Sequence, residues 1–194
     1  TVANDTICLL LSGLMHYSQE ELIGGIVGTG VNFALFDHGQ AINIEAGNFD
    51  IFTPSQEATI LDQMSQRPGE ALFEKEVSGA YLFQHYNVQI RGNSNVQPLI
   101  STMELAKLSI GSDESAQRAK KILEYSASLV ACQIAGILEF KKRSCVGVME
   151  GSLFWKAHNY KTLVETYVSM LTSYSIKFEK VDDDSIVGGA MLVS

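Results

Sequence analysis

The chain has 194 residues, 46% of them hydrophobic and 19% charged, enough for one sizeable domain with a packed core. Its formal net charge of −8 excludes nucleic acid or an anionic membrane surface as the main partner. Cys8, Cys132 and Cys145 sit in apolar settings with no Cys-x-x-Cys pair, so they read as reduced core thiols in a reducing, cytoplasmic compartment.

The chain begins Thr1-Val2-Ala3, without a signal-peptide pattern, and enters its first element almost at once, which suggests a piece of a longer protein. Asn4-Asp5-Thr6 precedes an apolar run and predicts a helix over 6–17, capped by Asn4 or Asp5. Residues 22–27 are a near-continuous apolar run of strand length. Residues 32–36 and 41–45 read as the next strands, split by the turn Asp37-His38-Gly39-Gln40, so an antiparallel three-stranded meander is expected. Thr53-Pro54-Ser55-Gln56 resembles a capping box with Thr53 as cap and Pro54 at the first helical position, opening a helix to about Gln66.

Arg67-Pro68-Gly69 ends that helix; another is expected over 70–86, and a polar loop over 91–98. Residues 113–142 form the long helix, whose wide face of Ala119, Ile122, Ala127, Val130, Ile134 and Leu138 suits burial against a sheet. A strand over 144–149, a helix over 160–173, a strand over 176–181 and a helix over 185–193 complete an α/β order, a mixed sheet covered by helices. The apolar stretches 7–15 and 129–138 fall short of the ~20 residues that a membrane span needs.

Polar residues punctuate these elements. A carboxylate at a helix start, Asp5, can cap the helix or accept a proton from a substrate hydroxyl; both roles stand open on the residues alone. Gly28-Thr29-Gly30 after an apolar strand reads either as a hairpin turn or as a loop whose amides approach a phosphate. No Gly-Lys dipeptide and no Gly-x-Gly-x-x-Gly occurs, so neither a Walker loop nor a dinucleotide fingerprint is present. Asn43 and Glu45 alternate with Ile42 and Ile44, which places two polar groups on one strand face. Glu74 stands early in its helix, as a solvated charge or a ligand contact. Gly151-Ser152 follows a strand at a glycine bend, and Gly188 sits in a final apolar segment. His16, His38, His85 and His158 lack metal-ligand spacing, so no protein-bound metal is expected.

Asn4-Asp5-Thr6, Gly28-Thr29-Gly30-x-Asn32, Asn43-x-Glu45-x-Gly47-x-Phe49, Pro68-Gly69 with Phe73-Glu74-Lys75 and Ser78-Gly79-x-Tyr81, then Gly147-Val148-x-x-Gly151-Ser152, follow one another along nearly the whole chain. This series resembles the motifs of eukaryotic-type hexokinases, in the family's order. The resemblance implies an actin-like ATPase fold of the RNase H type. Residues 1–194 would be the large, C-terminal domain, and the N-terminal small domain with the first phosphate loop would lie outside them. It also implies ATP, with Mg²⁺ carried by the nucleotide, and a hexose phosphorylated at its 6-hydroxyl. Asp5 would then be the general base, and Asn4, Asn32, Glu45 and Glu74 would bind sugar hydroxyls. Gly28, Thr29 and Gly30 would form a phosphate loop, and Gly151, Ser152, Ser185 and Gly188 would line the adenosine pocket. A non-catalytic sugar sensor and an N-acetylhexosamine kinase of the same architecture are the competing readings.

Overall fold

The computed structural model describes residues 4–180; the expected helix over 185–193, and with it Ser185 and Gly188, lies outside the described residues. A five-stranded sheet carries the domain, in the order β3-β2-β1-β4-β5. Strands β1 (Leu22–Val27), β2 (Val31–Asp37) and β3 (Gln40–Asn43) form the antiparallel meander, and β4 (Cys145–Glu150) and β5 (Ile176–Glu179) extend it in parallel.

The two faces of the sheet follow from side-chain alternation. On one face, Ile23, Val27, Val31, Phe33, Leu35 and Met149 join the main core beneath α6 (Glu114–Lys141) and α8 (Tyr160–Leu171). On the other, Leu22, Ala34, Phe36 and Val148 pack with Leu9 and Leu10 of α1 (Asp5–Ser12). Asn32, in register between Val31 and Phe33, therefore faces α1.

Where the elements depart from expectation, tertiary contacts supply the reason. The first helix runs only to Ser12 and tightens into a 3₁₀ turn, Gly13–Met15, where Gly13 presses against the Leu22 side chain. The third strand ends at Asn43, because Glu45 adopts a left-handed backbone (φ 55°) and opens a 3₁₀ turn, Ala46–Asn48. The cap of α2 (Gln56–Met64) is Ser55, which accepts from the Ala58 amide, and not Thr53.

The helix expected over 70–86 is two helices, α3 (Leu72–Val77) and α4 (Leu82–Gln89). Between them the Gly79 and Ala80 amides donate to the Gly28 and Thr29 carbonyls at 2.7 and 3.1 Å, bonds that outcompete helical ones. Two further helices, α5 (Thr102–Leu108) and α7 (Ser152–Lys156), were not expected. Ser101-x-x-Glu104 was a legible signal for α5: the Ser101 hydroxyl accepts from the Glu104 amide, as in a capping box.

By length and mean hydropathy α6 meets the measure of a membrane-crossing helix, but 56% of its apolar window is buried within the protein. Cys8 and Cys145 are buried; Cys132, expected in the core, is exposed.

Candidate functional site

The start of α1 is held by its own side chains. Asn4 Oδ1 accepts from the Thr6 and Ile7 amides at 2.9 and 3.3 Å, so Asn4 is the cap. That leaves Asp5 in the first turn, where Oδ1 accepts from the Thr6 amide at 2.7 Å and from the Thr6 hydroxyl at 3.3 Å. Asp5 is exposed, whereas Thr6 is fully buried.

Thr6 links the acid to the sheet. Its hydroxyl accepts from Asn32 Nδ2 at 3.0 Å, and the other Asn32 N–H goes to Asn43 Oδ1 at 2.7 Å. Asn43 Nδ2 in turn donates to Glu45 Oε1 in a short contact. Asn32 Oδ1 accepts from the Phe33 and Ala46 amides at 2.8 and 3.1 Å. An asparagine amide has two N–H donors and one oxygen with two lone pairs. All four places on Asn32 are thus filled by protein.

The chain Asp5–Thr6–Asn32–Asn43–Glu45 has a fixed direction. Its ends are carboxylates that accept, so both Asn32 N–H groups point outward along it. Each terminal bond is made to a group able to carry charge, the stronger class of hydrogen bond. Thr6 bridges Asp5 and Asn32 without a local signal of that part, since a threonine after a cap carries none until β2 lies beside it.

Glu74 reaches the same place from α3. Its Oε2 accepts from the Val31 amide at 3.2 Å, next to Asn32, and a methyl group on Gly30 would lie 2.6 Å from that oxygen. The side chain also lies against Gly47, two residues beyond Glu45. Lys75, buried beside Glu74, turns the other way: its ammonium binds Asp62 Oδ1 at 2.6 Å, Ser65 Oγ at 3.1 Å and the Arg67 carbonyl at 2.9 Å. The Lys75 ammonium and the Gly69 amide hold the Asp62 carboxyl below its ordinary range. This node fixes the loop ahead of α3, where Ala71 is left-handed (φ 50°), and so sets the direction in which Glu74 leaves the helix.

Gly28, Thr29 and Ser152 line a separate cleft of about 170 Å³, shared with Gly79, Thr102 and Ala157. Gly30 lies on the Glu74 side of the hairpin, and Gly151 backs the cleft by packing on Gly28. A methyl group on Gly151 (φ 114°) would lie 2.2 Å from the Val27 carbonyl oxygen, and one on Gly79 would lie 2.6 Å from the Gly28 oxygen. Thr102 Oγ1 donates to the Gly79 carbonyl at 2.6 Å and ties α5 to the cleft. Gly79 carries part of the motif resemblance, but its place in this cleft beside Thr102 and Ala157 has no local signal, because the three come from segments that only folding brings together. Of the residues assigned to sugar, Asn4, Asn32 and Glu45 join Asp5 in one hydrogen-bonded cluster through Thr6, and Glu74 stands beside it on the Val31 amide; of those assigned to nucleotide, Gly28, Thr29 and Ser152 line the cleft, Gly151 backs it and Gly30 lies outside it.

Comparison with known proteins agrees with this architecture. The chain is similar to Hexokinase-7 of Oryza sativa subsp. japonica, at 27% identity over 98% of the chain and 56% of that protein. Its fold matches the hexokinase from Schistosoma mansoni complexed with glucose, with a TM-score of 0.84 and 22% identity over 98% of this chain and 56% of that one. It also matches the ROK hexokinase from Thermus thermophilus, with a TM-score of 0.72 and 16% identity over 97% of this chain and 65% of that one. The fold is accordingly the actin-like ATPase fold shared by these sugar kinases, and the chain spans about half the length of the rice and schistosome proteins. The family model for hexokinase matches residues 92–194, more than half of the sequence, and the chain belongs to the hexokinase family.

Proposed function

We propose that this chain is the large domain of an ATP-dependent hexose kinase, with Asp5 as the general base on the sugar 6-hydroxyl. The observation that carries the proposal is the directed hydrogen-bond chain from Asp5 through Thr6, Asn32 and Asn43 to Glu45. It joins three elements around one cluster and spends only one side of each end carboxylate. A carboxylate fixed on one oxygen can receive a proton on the other, and Glu45 and Glu74 suit hydroxyls that must be gripped in a set direction.

Asn32 then acts through what it holds: it orients the acids, while Asn4, Glu45 and Glu74 contact the sugar. The residues around Gly28 fit a phosphate group, since side chains are absent where the backbone of three segments converges, and Thr29 and Ser152 add hydroxyls. ATP, with its Mg²⁺, supplies the phosphoryl group and the neutralised charge that such a transfer needs. The chain's residues supply alignment of the acceptor oxygen and removal of its proton. An N-terminal small domain completes the shell and excludes water on closure, so the isolated chain turns over weakly or not at all.

The test is Asp5→Asn in the longer protein. The turnover number falls by about 10²–10⁴, the usual worth of a general base, while glucose affinity stays near the original. Unchanged turnover removes Asp5 from the mechanism; glucose binding with no turnover in the unaltered longer protein supports the sensor reading instead.

A further inference from the structure

Two residues after Glu74, α3 carries a second acid that no step above uses. Positions two apart on a helix do not share a face, so Glu76 leaves α3 away from the Glu74 cluster. Its side chain is fully buried, at 0% exposure. Oε2 accepts from the amide of Ser55, the cap of α2, at 2.9 Å. Oε1 has no hydrogen-bond partner among the described residues, and none of their ion pairs includes Glu76. The one other buried side-chain atom so placed is the Ser78 hydroxyl oxygen, which is neutral. Burying a carboxylate without a partner costs far more than burying a hydroxyl, so the charge on Glu76 needs a cation that the described residues do not supply.

Glu76 lines a crevice of about 130 Å³ where α2, α3, α4 and α6 meet. His85 lines it from α4 and is likewise buried, whereas Glu57, Gln89, Lys121 and Tyr125 line it from more exposed positions. His85 Nε2 donates to the Lys75 carbonyl at 2.8 Å, which leaves the other ring nitrogen an acceptor when the ring is neutral. The Gln89 carbonyl and the Tyr125 phenol add oxygens. Burial, and then the charges of Glu76 and Glu57, hold the Tyr125 phenol above its ordinary range, so it stays a neutral oxygen in the field of both acids. The lining is thus rich in acceptors. Its one fixed cation, Lys121, forms an ion pair with neither Glu57 nor Glu76.

Size and donor set narrow the ligand. The crevice falls below the roughly 300–1,000 Å³ of pockets that take organic molecules, but it has room for an ion with a few waters. A divalent metal asks for several carboxylates or imidazoles together, and the described residues contain no group of three His, Cys, Asp or Glu placed to hold one. One buried carboxylate among neutral oxygens suits a single positive charge, much as carbonyl oxygens hold potassium in channel filters. We propose that this crevice binds a monovalent alkali cation on Glu76 Oε1, and that the bound ion ties α3 to α2, α4 and α6.

Thermal unfolding of the 194-residue chain provides the test, as KCl, or NaCl in a parallel series, replaces tetraethylammonium chloride at constant ionic strength. The larger ion cannot enter the crevice. Expected is a saturable rise in melting temperature of about 3 °C with one or both small cations, as for a ligand that binds only the folded chain. Glu76→Gln keeps an oxygen for the Ser55 amide and loses the response. Lys121→Met removes a competing ammonium and reaches the same rise at a lower salt concentration. Binding is read directly by NMR of Tl⁺, a potassium surrogate, in nitrate solution: the original chain broadens its line and added K⁺ or Na⁺ restores it. That readout stands even if Glu76→Gln fails to fold. No saturable rise with either cation, an equal rise in Glu76→Gln, or a Tl⁺ line unaffected by the chain overturns the proposal. A rise seen only in Lys121→Met shows that the Lys121 ammonium already serves Glu76, and overturns it as well.

Discussion

Replacing Asn32 separates what its amide does for folding from what it does for the acids. In Asn32→Ala, the Thr6 hydroxyl, the Asn43 oxygen and the Ala46 amide each lose a partner now 2.7–3.1 Å away. At roughly 1 kcal/mol per hydrogen bond, with water reaching a half-buried site in part, the loss is about 3 kcal/mol. Asn32→Asp is the sharper variant. Its retained oxygen still accepts from Phe33 and Ala46, so the cost to stability is only about 1–2 kcal/mol. The second oxygen, however, now faces the Asn43 oxygen, and no N–H points to Thr6. The Asn43 amide must turn over, which takes its N–H away from Glu45, and the Thr6 hydroxyl can turn from Asp5 toward the new carboxylate. Losing one hydrogen bond to a charged group is worth about 1.5–3 kcal/mol, which corresponds to a tenfold or greater loss of glucose affinity. Urea unfolding gives the first quantity and calorimetric glucose titration of the longer protein the second. Asn32→Asp with glucose affinity within about twofold of the original, below 0.5 kcal/mol, refutes the idea that Asn32 orients the acids.

Other consequences follow from neighbouring contacts. Lys75→Met leaves Asp62 with the Gly69 amide alone and destabilises the domain by about 2 kcal/mol, less than for a fully enclosed ion pair because Asp62 retains some exposure; it also weakens glucose binding, since α3 loses the anchor beside Glu74. The Asp62 carboxyl is held below its ordinary range, so its contribution to stability is complete above the unfolded aspartate value near ~4 and disappears as pH falls through the lower folded value. Denaturation profiles between acid and neutral pH should show that loss in the original chain and a smaller one in Lys75→Met, where the Gly69 amide alone still favours the ionised carboxyl. Gly151→Ala sets a methyl group 2.2 Å from the Val27 carbonyl oxygen at a left-handed φ, so about 3 kcal/mol or more of stability is lost, together with the Gly28 cleft; a melting temperature equal to the original contradicts this.

The legible parts of the molecule were those with a local cause. The run 22–27 is a strand with the expected bounds because both of its faces are buried, and Asp113 caps the long helix by accepting from the Ala116 amide. The break between α3 and α4 was hidden, because the competing partners of the Gly79 and Ala80 amides lie on a hairpin some fifty residues earlier. In the same way Asp5, Asn32, Glu45 and Glu74 were marked by their place in motifs that resemble those of hexokinases, whereas nothing marked the direction of the hydrogen-bond chain or the part that Thr6 plays in it. Those depend on β2 presenting Asn32 to α1, which is a property of the sheet. The left-handed Glu45 was also out of reach: alternation from Asn43 suggests a strand that continues to Glu45, whereas the Ala46 amide turns back to Asn32.

The most direct measurement is amide and side-chain NMR of the 194-residue chain during titration with glucose. The largest shifts are expected at Thr6, Val31, the side-chain amides of Asn32 and Asn43, and Ala46, all moving with one dissociation constant, and Glu74→Gln is expected to weaken them together. Shifts scattered over unrelated surfaces, or Glu74→Gln silencing one segment while the others respond as before, would contradict a single sugar pocket built on these residues.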